Sequence, residues 1–134
     1  MAKHKDIDFR VFARAASRAI AIAKGDIIFR EGEPSEQMYI LLSGKVEISS
    51  HGKPIETIEA GRALGFASIV DHSPRATTAL AVEPCELAMM DPRKFRFMID
   101  EVPNFAWYVM QELVHRLRTV NEAIEVARPL ARVG

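Results

Sequence analysis

Between Lys24 and Asp91 the chain alternates short apolar runs with glycine turns, and this texture restricts the fold more than any other feature. The runs are DIIF, MYILL, VEIS and IETI, separated by REGEPSE, SGK and SHGKP. Gly25, Gly32, Gly44, Gly52 and Gly61 punctuate them at intervals of seven to twelve residues. Short strands with turns at that spacing predict a compact antiparallel β-sandwich or small barrel over residues 25–91. Thr77–Val82 and Leu87–Met90, parted by Glu83-Pro84, are expected to close the sheet as a final pair.

Helical patterning flanks this region. Phe9, Phe12, Ala13, Ala16 and Ile20 recur every three or four residues and predict a helix over residues 3–24, with Arg10, Arg14 and Arg18 on another face as a solvated stripe or a contact for an acidic partner. Asp91-Pro92 has the form of an N-cap followed by proline at the first helical position, opening a short helix to about Glu101. Pro103 breaks it, Asn104 caps a second helix, and Pro129 ends that helix after Arg128. On it Ala106, Met110, Leu113, Leu117, Val120, Ile124 and Ala127 form an a/d seam of three heptads. The seam suits either a homodimer through residues 106–127 or packing against the barrel.

A length of 134 residues fits one domain, 1–134, with a real core, and a hydrophobic share of 49% with 27% charged residues fits a soluble globular protein. Lys plus Arg and Asp plus Glu are 18 each, which argues against a nucleic-acid surface spread over the domain, since phosphate neutralisation needs a basic excess. Cys85 is the single cysteine, so no intrachain disulfide forms and a reducing cytoplasm is the expected location. The N-terminal segment is too often broken by charges for a signal peptide, and no run reaches the roughly 20 apolar residues of a membrane span.

His4, His51, His72 and His115 are scattered with no metal-ligand spacing. Cys85 stands beside Glu86, a poor setting for a thiolate, and no serine has a nucleophile-elbow context, so an enzyme is not expected. What remains is anion binding in GRALGFASIVDHSPRATTAL, residues 61–80. A turn at Gly65 opening a short helix presents free backbone N–H groups, and Arg75 can pair two oxygens of a phosphate. From spacing alone this stretch is equally a strained sheet turn with an arginine reaching water.

GDIIFREGEPSEQMYILLSGKVEIS and SPRATTALAVEPCELAMMDPRKF resemble the opening strands and the closing half of a cyclic-nucleotide-binding domain, over about residues 22–120. The resemblance implies an α+β domain: an antiparallel β-barrel or jelly roll of about eight strands, with an N-terminal helix, a short cassette helix and C-terminal helices over 92–128. The family's phosphate-binding cassette reads approximately F-G-E-L-A-L, then P-R-x-A-T. Its arginine binds the cyclic phosphate and its glutamate accepts the ribose 2′-hydroxyl. Here Pro74-Arg75-Ala76-Thr77 keeps the second half, whereas Leu64-Gly65-Phe66-Ala67-Ser68 puts Phe66 at the glutamate position; Glu59, in the preceding strand, is no substitute.

The resemblance therefore implies ligand contacts at Leu64, Gly65, Phe66, Ala67, Ser68, Arg75, Ala76 and Thr77. Arg116, Thr119, Val120 and Asn121 fall on the helix that serves as lid in relatives, with Arg116 lacking the acidic partner it has in some of them. Ala76, where a threonine often contacts guanine, leans the ligand towards cAMP rather than cGMP. The implied function is a non-catalytic regulatory module that binds a cyclic nucleotide, needs no cofactor or metal, and signals to an unidentified effector protein through its C-terminal helix. The alternative is a ligand-free relative acting as a dimerisation or interaction module. The chain ends six residues after Arg128, so no DNA-binding helix-turn-helix is expected to follow the long helix.

Overall fold

The structure, a computed structural model, describes residues 18–127. The strands are β1 (Arg18–Ile22), β2 (Ile27–Phe29), β3 (Met38–Ser43), β4 (Lys45–Ser50), β5 (Lys53–Glu59), β6 (Ala63–Leu64), β7 (Thr78–Ala81) and β8 (Cys85–Met90). The helices are α1 (Phe66–Asp71), α2 (Pro92–Glu101) and α3 (Phe105–Ala127). The strands form two antiparallel four-stranded sheets, ordered β1-β8-β3-β6 and β2-β7-β4-β5, the double-sheet form of a jelly roll.

Three layers result, and β3 explains them. Its residues MYILL are buried without a break. Tyr39 and Leu41 face the opposite sheet, in a cluster with Phe29, Val46, Ile48, Ile58, Ala79 and Leu87. Met38, Ile40 and Leu42 point the other way, into a second cluster with Phe66, Met98, Phe105, Tyr108 and Val109 of the helices. A strand covered on both faces needs apolar side chains at every position, which is why this run does not alternate. At the β3–β4 turn Gly44 has φ 95, and a Cβ there would meet Cys85 Sγ at 2.8 Å, so only glycine lets the turn pass the start of β8.

Two expectations are corrected. Residues 18–22 are a strand, not the end of a helix over 3–24, and the sheet begins there rather than at residue 25. RAIAI pairs antiparallel with β8, from Arg18 opposite Met89 to Ile22 opposite Cys85, and Ile20 and Ile22 pack towards the inter-sheet core. Alternation and the free edge of β8 outweigh the helical spacing that ends at Ile20. The rest of that expected helix lies outside the described residues. The second correction concerns β7 and β8, which do not pair: β7 lies between β2 and β4, and β8 lies between β1 and β3. The Glu83-Pro84 segment carries the chain from one sheet to the other.

The expected cap of α2 forms, while the expected stop of α3 at Pro129 lies outside the described residues. The Asp91 carboxylate accepts from the Lys94 backbone N–H at 2.9 Å and Pro92 occupies the first turn of α2. Asn104 precedes α3 at φ 67. Among the described residues, no helix is long and apolar enough to cross a membrane.

Candidate functional site

The candidate site is assembled from three separate segments. Gly65, at φ 75, turns the chain from β6 into α1, and a Cβ on it would lie 2.6 Å from Nη1 of Arg75. The glycine thus serves two needs, a left-handed backbone and room for the arginine. Arg75 itself is 3% exposed. Its Nη1 donates to the Gly65 carbonyl at 2.8 Å and its Nη2 to Ser35 Oγ at 2.7 Å, while its guanidinium carbon lies 4.3 Å from the centroid of the Phe29 ring. The β2–β3 loop holds the arginine's backbone in turn: Gly32 N donates to the Arg75 carbonyl at 2.8 Å, and Arg75 N to the Glu33 carbonyl at 2.9 Å. Glu31 N donates to Thr78 Oγ1 at 3.0 Å, extending the same seam.

Among the described residues, this guanidinium is hydrogen-bonded only to neutral oxygens and its buried Nε has no partner. Burial pushes it below the ordinary arginine value, with Tyr39 and Glu33 offsetting only part of that cost. A buried cation held by neutral acceptors keeps the capacity to pair with an anion.

A cavity of about 60 Å³ adjoins it, lined in part by Gly65, Phe66, Ser68, Arg75, Thr77 and Arg116. That is room for about two water molecules, against roughly 300–1,000 Å³ for small-molecule pockets. Phe66, 2% exposed, lines it while packing into the helical core, and α3 bounds it with Leu113 and Arg116. The guanidinium carbon of Arg116 lies 5.7 Å from the centroid of the Phe66 ring, within cation–π range.

Charged contacts tie α3 to the sheet beside this cavity. Arg62, in the β5–β6 turn, bonds both carboxylate oxygens of Glu112, at 2.9 and 3.1 Å. The Tyr108 hydroxyl donates to Glu112 at 2.9 Å and accepts from the Ala63 N–H at 2.9 Å. One turn further, Glu56 of β5 meets His115 Nε2 at 2.9 Å, Arg116 Nε at 2.8 Å and Arg62 Nη1 at 3.4 Å. The Arg116–Glu56 approach is an ion contact without hydrogen-bond alignment, which leaves Nε and Nη2 of Arg116 without a hydrogen-bond acceptor. Burial would raise the Glu56 carboxyl, but the His115 hydrogen bond and the charges of Arg116 and Arg62 outweigh it and hold the group below its ordinary value.

The sequence model of the "Cyclic nucleotide-binding domain" family matches residues 19–102. The chain belongs to the cyclic nucleotide-binding domain family. It is 29% identical over 103 residues to the CRP-like cAMP-activated global transcriptional regulator of Mycobacterium tuberculosis, covering 73% of this chain and 46% of that protein. The chain spans less than half the length of such curated relatives. In fold it is similar to PKAR CBD2 bound to Sp-2Cl-cAMPS, with a TM-score of 0.74 and 24% identity over 90% of this chain and 82% of that one. It is equally similar to the Thermus thermophilus catabolite activator protein, with a TM-score of 0.74 and 24% identity over 88% of this chain and 58% of that one.

Within this family frame, most residues named from the cassette resemblance lie together. Gly65, Phe66, Ala67, Ser68, Arg75, Ala76, Thr77 and Arg116 all line the cavity. Leu64 does not, being wholly buried between the sheets, and Asn121 is exposed on α3 away from the lining. Thr119 bonds back to the His115 carbonyl. Arg116 is not without an acid, as expected from the cassette, because Glu56 reaches it from a strand. Phe29, Ser35 and Glu56 carry no local signal; only the tertiary fold brings them to the site.

Proposed function

We propose that this chain is a non-catalytic regulatory module that takes the phosphate of a cyclic nucleotide on Arg75 and signals through movement of α3. The observation that carries the reading is the Arg75 guanidinium: buried, braced by neutral oxygens, with an unpartnered Nε beside a cavity that α3 covers. A nucleotide needs several times the present volume, so binding requires α3 to shift, and the ligand moves that equilibrium by its differential affinity for the two arrangements. Ala76 at the cavity edge favours cAMP over cGMP on the family pattern. The relatives named for cAMP support the class of ligand. A cytoplasmic location and an effector protein that reads the helix belong to the same proposal. Calorimetric titration with cAMP and cGMP tests it: saturable binding with cAMP the tighter is expected, and no heat up to millimolar ligand overturns it.

A second reading is favoured by Phe66 and by the outer face of α3. Trp107, Met110, Val114 and Leu117 recur at spacings of three and four and are each about half exposed or more. They support a homodimer through residues 106–127, with or without a ligand.

A further inference from the structure

We propose that Glu56 is a positioning residue: it supplies from β5 the acid that the cassette lacks, and holds Arg116 and the middle of α3 over the small cavity beside Arg75. The inference deepens the ligand-binding reading and rests on it for its affinity readout alone.

Two sets of contacts fasten α3, and they differ in kind. The first involves the apolar packing of Phe105, Tyr108 and Val109, with Glu112 bridged to Arg62 and, through Tyr108, to the Ala63 backbone. It anchors the start of the helix in the core. The second is almost wholly electrostatic. His115, half exposed, and Arg116 both converge on the one carboxylate of Glu56, while Val114 and Leu117 beside them face outward. Leu113 alone adds partly buried apolar packing there. Arg62 touches both sets, at 3.4 Å from Glu56 and 2.9 Å from Glu112.

Arg116 is the element that matters for the ligand, because it lines the cavity and lies over Phe66. Enlarging the cavity means withdrawing Arg116 and Leu113, which breaks the Glu56 contacts but leaves the Tyr108–Glu112 anchor in place. Glu56 therefore acts as an internal competitor of any anion that enters. The acid stands outside the cavity lining, so it opposes entry without contacting the ligand.

The test is amide hydrogen exchange on the full chain, wild type against Glu56→Gln and His115→Gln, followed by cAMP titration of each. Removing the charge of Glu56 speeds exchange over residues 113–119 by at least about fivefold and leaves 105–112 unchanged, because the Glu56 carboxylate meets α3 at His115 and Arg116, whereas the earlier turns keep their apolar packing and the Arg62–Glu112 pair. His115→Gln gives a smaller change over the same residues, and serves alone if the first variant does not fold. In the cAMP titration Glu56→Gln binds more tightly than wild type. Unchanged exchange over 113–119, or equal acceleration along the whole helix, overturns the proposal. So does weaker cAMP binding with unchanged exchange, which would make Glu56 a ligand contact. Selective acceleration with no cAMP binding by either protein upholds the role of Glu56 and removes the ligand reading.

Discussion

Arg75 and Phe66 lie on the same small cavity and pull the interpretation in opposite directions. Arg75 is costly to bury without a carboxylate, and the fold meets that cost with a glycine turn, a serine hydroxyl and an aromatic face. Phe66 stands at the place of the glutamate in the cassette pattern that the sequence resembles, and it packs into the helical core. Phe66→Glu sets a carboxylate beside Arg116 and supplies the missing acceptor. A hydrogen bond to a charged group contributes about 1.5–3 kcal/mol, so cAMP affinity is expected to rise roughly ten- to a hundredfold in calorimetric titration. The same variant melts at a lower temperature, because it gives up buried apolar packing. Absence of binding by both proteins would show that the cassette no longer takes a nucleotide.

In α3 the expected seam divides, with Leu113 packed inward and Met110 and Leu117 outside. The a/d reading groups Met110 and Leu117 with Leu113, yet the docked face is Phe105, Tyr108, Val109 and Glu112, and Met110 and Leu117 remain outside. The helix carries apolar residues on more than one side, and hydrophobic spacing alone does not rank them. The ranking comes from shape and from Arg62, which offers Glu112 a bidentate partner in the sheet and so makes a buried acid acceptable. Glu56 gives this helix a pH dependence with a definite sign. It faces Arg62 from the β5–β6 turn and His115 and Arg116 from α3, and its carboxyl lies below the ordinary value of 4.5 when folded. Its contribution to stability is therefore complete above that value and is lost as pH falls through the lower, folded one. Urea midpoints of wild type and Glu56→Gln should differ at pH 7 and converge near the acid end of the transition; a difference independent of pH would contradict this.

For the whole molecule, the two sheets and the helical layer form a base on which the α3 face carrying Trp107, Met110, Val114 and Leu117 projects. Leu117 is 61% exposed, so Leu117→Glu should leave the melting temperature within a degree or two of wild type. If the outer stripe joins two copies, light scattering at tens of micromolar gives a dimer mass for the wild type and a monomer mass for the variant. A monomeric wild type removes the dimer.

The chain's own order of residues determined the β-rich middle, the caps of α2, the cassette turn at Gly65 and the arginine that follows it, because each depends on neighbours within a few positions. The MYILL run read as one short strand among several; that both its faces are covered came from the tertiary structure. The strand at 18–22, the separation of β7 from β8, and the supply of Glu56 to Arg116 from a distant strand were decided by tertiary structure. Pairing partners, and charges that meet across about sixty residues of chain, have no local period to betray them; their energies exist only once the sheets have closed and α3 has docked.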